Sequence, residues 1–164
     1  MNKLKISQVQ FQASHVPALN AKIIEKSFNN TLKFKPHLIC TPECSNIITN
    51  DKSYLIFNAP YQKTCPVLKM AKDFAKKNKV NINLGSLVLR IKNKTKLVNR
   101  SFFINNYGVI KKTYDKIHMF DVEINNKEKH QESSLFKAGN KIIFTKINNI
   151  KFCLLYTSPS PRDC

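Results

Sequence analysis

Apolar residues follow two different periods along this chain, and the changes from one to the other divide it into elements. LKISQVQF, residues 4 to 11, alternates well enough for a first strand. Leu19, Ile23, Ile24, Phe28 and Leu32 then recur at helical spacing, which predicts an amphipathic helix that Pro36 brings to an end. HLIC is a short buried strand running into Thr41-Pro42-Glu43, and a proline at that point places Glu43 at a strand end or in a turn. A second helix begins near Pro66, with Val67, Met70, Ala71, Phe74 and Ala75 as its apolar stripe and lysines on its wet face.

The second half reads mainly as strands. VNINLGSLVLRI, residues 80 to 91, is a strand region interrupted at Gly85-Ser86, and LVNRSFFIN turns through NNYG into VIKKTYDKI as an antiparallel pair. Residues 121 to 140 are polar, carry Glu123, Glu128 and Glu132, and predict an ordered loop with a short helix. KIIFTKI and NIKFCLLY follow as a hairpin across Asn148-Asn149. The order of elements predicts a layered α/β domain over residues 1–156. The tail TSPSPRDC, residues 157–164, departs abruptly in composition from the chain before it.

Composition changes this picture little. The chain has 164 residues, 42% of them hydrophobic, enough for one substantial core. No stretch approaches the roughly 20 apolar residues that cross a bilayer, and the start has no leader pattern, so the expected location is the cytoplasm, without membrane association. The net charge of +18 would attract phosphates, but the basic residues are nearly all lysines scattered along the chain, with Arg90, Arg100 and Arg162 as the arginines. Nothing organises them into a nucleic-acid reader, and no specific nucleic-acid partner is expected. Cys40 and Cys44 with His37 do not form a zinc motif, and the five cysteines are expected to be reduced thiols.

Two places carry candidate chemistry. Glu43, at its proline-shaped strand end, suits a general base, and equally a helix cap or salt-bridge partner. Lys116 lies among Tyr114, Asp115, His118, Phe120 and Asp121 just after a strand. A buried ammonium there would stabilise charge developing on a carbonyl oxygen; the plain alternative is a lysine facing water. His118 is a rival base, or a structural histidine held by Asp121 or by backbone.

LKISQVQFQ, LICTPEC, INLGSL, LVNRSFFIN-NYG, YDKIHMFDVE and ES-LFKAG, in that order from about residue 4 to residue 155, resemble the carbon-nitrogen hydrolase (nitrilase) family and its Nit-type amidases. The resemblance implies a four-layer α/β/β/α sandwich, commonly paired into a homodimer across its outer helices, with no metal and no organic cofactor. It makes Glu43 the base, Lys116 the group that stabilises the oxyanion, and Glu132 the second glutamate of the pocket. The implied reaction is hydrolysis of small linear carboxamides, including ω-amides of keto acids, through a cysteine thioester.

The nucleophile departs from that pattern. Matching IKFCLLY to the family strand puts Cys153 at a glycine position and Thr157 where the cysteine is expected. Cys153 would have to shift by four residues, roughly 13 Å along a strand. Cys164, in a proline-rich terminus, lacks the rigid placement that attack requires. The expectation is therefore a hydrolase fragment, incomplete at its C-terminus and inactive for want of its thiol. The alternative is a non-catalytic binding or interaction protein with the same fold and a basic surface.

Overall fold

The computed structural model describes residues 3–125 and 128–154. Its frame is one five-stranded sheet in the order β1-β2-β3-β4-β5, with helices α1 (Pro17–Thr31) and α3 (Pro66–Asn78) packed against one face. Strands β1 (Ile6–Gln8), β2 (Leu38–Cys40) and β3 (Asn81–Arg90) run parallel, whereas β4 (Leu97–Ile104) and β5 (Ile110–Asp115) continue antiparallel. The parallel pairs are those whose connections contain a helix, and the antiparallel pairs are joined by short turns.

Both long helices start with proline as the first helical residue, where no backbone donor is lost. Their apolar stripes meet over the sheet. Phe28 and Phe74 pack edge to face with ring centroids 5.1 Å apart, above Ile39, Ile82, Leu84, Phe102 and Ile104. Full burial of each such side chain contributes about 1.5–3 kcal/mol. Leu19, counted in the first stripe, is instead half exposed, because only Ala21, Ile24 and Phe28 of that helix's apolar residues reach the sheet.

The opposite face is built differently. Leu38, Phe103 and Tyr114 pack with Ile147 and Leu154 of the hairpin region β8 (Phe144–Ile147) and β9 (Ile150–Cys153). Val88 and Leu97 pack with Ile47, Leu55 and Phe136. The hairpin turns through Asn148 and Asn149 at φ 49° and 66°, the left-handed region asparagine tolerates best after glycine.

Several elements differ from the sequence reading. The first strand spans three residues rather than eight, with Ile6–Gln8 in register with Leu38–Cys40. The predicted interruption at Gly85-Ser86 is a bulge inside a continuous β3. Helix α2 (Lys52–Asn58) was not expected; Asp51 caps it by accepting from the Tyr54 N–H at 2.9 Å. The polar stretch from 121 is a hairpin, β6 (Asp121–Asn125) with β7 (Glu128–Gln131), followed by the short helix α4 (Glu132–Leu135).

Candidate active site

Glu43 stands in a turn that follows β2 and is fastened along its length to β3. The Thr41 N–H donates to Asn83 O at 3.1 Å, the Cys44 N–H to Ser86 Oγ at 2.9 Å, and the Ser45 N–H to Ser86 O at 2.9 Å. Asn46 completes the attachment by donating its amide to Val88 O and accepting from the Val88 N–H, both at 2.8 Å. A side-chain amide thus stands in for a backbone rung. Gly85 is required here because a Cβ would collide with the carbonyl oxygens of Thr41 and Pro42.

Lys116 follows β5 directly. Its N–H donates to Asn99 O at 2.9 Å and its carbonyl accepts from the Gly139 N–H at 2.8 Å, so the backbone is held on both sides. Its side chain is 6% exposed and reaches two carboxylates, Glu43 Oε1 at 3.0 Å and Glu132 Oε2 at 2.8 Å. Glu132 caps the far side from α4, where the same Oε2 also accepts from the Phe120 N–H at 2.7 Å. The three residues singled out in the sequence, 73 and 16 positions apart along the chain, converge on one ammonium.

The electrostatics follow from this convergence. Burial pulls the Lys116 ammonium toward its neutral form, but the hydrogen bonds it donates to Glu132 and Glu43, with their charges, outweigh it and hold the pKa above 10.5. The group is a fixed cation. Glu132 is only 15% exposed, whereas Glu43 keeps 39% of its surface and remains approachable. Asn99 Nδ2 donates to Glu43 Oε1 at 2.8 Å, so one carboxylate oxygen is occupied by both Asn99 and Lys116.

Over residues 6–158 the sequence matches the carbon-nitrogen hydrolase family. This chain belongs to that family. A deaminated glutathione amidase of Dictyostelium discoideum is 30% identical over 150 residues, covering 87% of this chain and 52% of the relative. The crystal structure of the Caenorhabditis elegans NitFhit protein superposes with a TM-score of 0.73 at 25% identity, over 85% of this chain and 34% of that one. An amidase from Nesterenkonia sp. shares the fold, with a TM-score of 0.75 at 15% identity over 93% of this chain and 54% of that one. The chain spans about half the length of the Dictyostelium amidase it matches.

Other sequence candidates fall outside this carbon-nitrogen hydrolase cluster. His118 is exposed and makes no hydrogen bond among the described residues; Asp121, proposed to hold it, accepts from the Ser133 N–H at 2.9 Å instead. Cys153 lies in the β8-β9 hairpin, paired in register with Phe144. Thr157 and Cys164 lie outside the described residues. No group of three or more His, Cys, Asp or Glu side chains among the described residues is placed to hold a metal ion.

Two members of the cluster were missed. Asn99 was legible only as a polar residue in the apolar run LVNRSFFI, and Cys44 was considered only as a metal ligand. Asn99 Nδ2 lies 3.7 Å from Cys44 Sγ, bringing a thiol beside the carboxylate cluster. Burial first, and then Glu43 and Glu132, push the pKa of that thiol up to about 12, so it stays protonated. The buried Oδ1 of Asn99 has no partner among the described residues.

Proposed function

We propose that this chain carries the base, oxyanion and second-glutamate groups of an amidase that hydrolyses small linear carboxamides, with ω-amides of keto acids as the substrate class. The observation that supports the reading is the shared ammonium, Lys116 Nζ, held between Glu43 and Glu132 at hydrogen-bond distance. In a glutamate-to-glutamine mutant of the amidase from Nesterenkonia sp. AN1, acrylamide adds to the active-site cysteine by Michael addition.

In the proposed reaction a cysteine thiol gives its proton to Glu43 and its sulfur bonds to the amide carbon. The carbonyl electron pair moves to oxygen, where Lys116 stabilises it. Collapse expels the amine as Glu43 returns the proton, leaving a thioester. Water, deprotonated by Glu43, then attacks the thioester carbon, and the carboxylic acid leaves as sulfur takes the proton back. Glu132 does not touch the reacting atoms; it fixes Lys116 in place and balances its charge. No step needs a metal or organic cofactor.

The position matched to the nucleophile is Thr157, a poor substitute where thiolate character is required, so the chain as it stands is proposed not to turn over. The family's four-layer sandwich is the finer reading of the fold: the face bearing Glu43 and Lys116 would lie against a second sheet, with dimers formed across the outer helices. Thr157 also supports a second reading, a catalytically silent binding protein that keeps the fold and the basic surface.

Ammonia release from small linear amides separates these readings. The Thr157→Cys protein is expected to turn over, whereas the unaltered chain and the Thr157→Cys, Lys116→Ala double variant are not. Turnover that survives loss of Lys116 rejects its role. Absence of turnover from the folded Thr157→Cys protein rejects the placement of the nucleophile and favours the silent reading.

A further inference from the structure

Leu97, Asn99, Ser101 and Phe103 alternate along β4 and face the site side of the sheet, away from α1 and α3. Asn99 is buried there, and it holds two members of the cluster by different groups. Its carbonyl accepts the Lys116 N–H at 2.9 Å, and its Nδ2 donates to Glu43 Oε1 at 2.8 Å. That pairing fixes the orientation of the amide: turned over, it would set Oδ1 against Oε1, acceptor against acceptor. The arrangement leaves Oδ1 buried without a partner among the described residues, a cost that packing alone gives no reason to bear.

A carboxylate oxygen has two lone-pair directions. At Glu43 Oε1, Lys116 Nζ at 3.0 Å takes one and Asn99 Nδ2 the other. Oε2 accepts from no described residue, and the side chain keeps 39% of its surface open to approach. Glu132 shows the same double occupancy, its Oε2 taking Lys116 Nζ and the Phe120 N–H, but it is far less exposed. Lys116 has three donors and uses two on these carboxylates, so one remains for a developing oxyanion.

We propose that Asn99 is a positioning residue for the base: together with Lys116 it saturates Glu43 Oε1 and reserves Oε2 as the atom that takes the proton from sulfur or water and returns it. The proposal rests on the amidase reading of Glu43. A proton arriving on Oε2 leaves Oε1 carbonyl-like and still accepting from Nζ and Nδ2, so Glu43 changes charge without losing its anchors. Neither hydrogen bond breaks during the outward or the return transfer, and the carboxyl group does not turn. Without the amide, Oε1 keeps Lys116 alone, and rotation about the soft terminal torsion lets either oxygen meet the ammonium.

The test reads couplings across hydrogen bonds by NMR in the unaltered chain. Couplings to the Glu43 carboxyl carbon are expected from both Asn99 Nδ2 and Lys116 Nζ, with a further one from Lys116 Nζ to Glu132. Asn99→Leu, close in shape but without the donor, is expected to lose the Lys116–Glu43 coupling and keep the Lys116–Glu132 one. Acidification that protonates Glu43 should leave both Glu43 couplings in place, because the proton goes to Oε2. In the Thr157→Cys protein, Asn99→Leu should lower kcat about 10- to 100-fold with KM within about twofold. The proposal is overturned by absence of the Asn99 coupling in the unaltered chain, or by a Lys116–Glu43 coupling that survives in folded Asn99→Leu. Loss of both Lys116 couplings together marks a purely structural residue and also overturns it, as does loss of the Glu43 couplings on protonation or a change confined to KM. Should Asn99→Leu fail to fold, Asn99→Ala is read in the same way. Should Thr157→Cys show no turnover, the amidase reading fails, while the couplings still decide whether Asn99 positions Glu43.

Discussion

The two faces of the central sheet solve different problems with the same strands. On the helix side, Ile82, Leu84, Phe102 and Ile104 meet α1 and α3 in an apolar core whose contents are interchangeable in kind. On the other side, the same strands bury Asn99, Ser101 and Ser86, with Lys116 beside them, and each must find a specific partner. Ser101 Oγ donates to Leu84 O at 2.9 Å, and Ser86 Oγ accepts from Cys44 N–H. Stability is concentrated on the first face and positional precision on the second.

Substitutions should separate the two. Phe28→Ala removes a fully buried ring between helices and sheet, and is expected to cost about 4 kcal/mol in denaturant unfolding. Lys116→Ala leaves Glu132, and in part Glu43, facing each other without their cation, at an expected cost of about 3 kcal/mol. Lys116→Met should recover little of that loss, because the carboxylates stay unpaired; recovery to the unaltered stability would show that the ion pair is not what Lys116 contributes. Asn46→Ala strips both Val88 backbone groups of partners and should cost about 2 kcal/mol, with loss of amide-exchange protection confined to residues 44–46 and 86–88. At the bottom of the scale, Lys69→Ala breaks an exposed pair with Asp73 and should change stability by less than about 0.5 kcal/mol.

Alkali acts on both faces, through Cys65 in the helix-side core, pushed up to about 11 by burial, and through Cys44 and Lys116 at the site. Cys44, on the site face, ionises at about 12 when folded against an ordinary value of 9.0, so the unfolded chain sheds this proton first and stability falls as pH rises above about 9. Lys116 adds a later loss: its stabilisation is complete below 10.5 and disappears as pH climbs through its raised folded value. Cys44→Ala should make the alkaline loss smaller without moving its onset, because burial also pushes the Cys40 and Cys65 thiols up to about 11, and a curve unchanged by the substitution would remove Cys44 from the account. The Cys44 thiol, half-buried and protonated at neutral pH, is also expected to react with iodoacetamide more slowly in the folded protein than after unfolding.

What could be read in the sequence follows the same division. Helix α3, the β4-β5 pair and the β8-β9 hairpin were legible because their signals are local: an apolar stripe, NNYG, and two asparagines between alternating runs. Helix α2 was not, since its seven residues leave Ile56 and Phe57 exposed and show no buried stripe. The β6-β7 hairpin was hidden because its described side chains at 121–123, 130 and 131 face solvent, so alternation carries no burial signal. Glu43, Lys116 and Glu132 were found through their motifs, and the structure brings them together. Asn99 and Cys44 joined them only in three dimensions, through contacts spanning 55 or 56 positions of sequence.

The pairing of Asn46 with Val88 makes the position of Glu43 a matter of counting. Because one amide engages both backbone groups of a single β3 residue, three positions past the glycine of the bulge, the turn is indexed to that strand like a key cut to one notch. Inserting or deleting one residue between Asn83 and Val88 would leave the sheet's hydrogen bonds available yet carry the carboxylate away from its lysine.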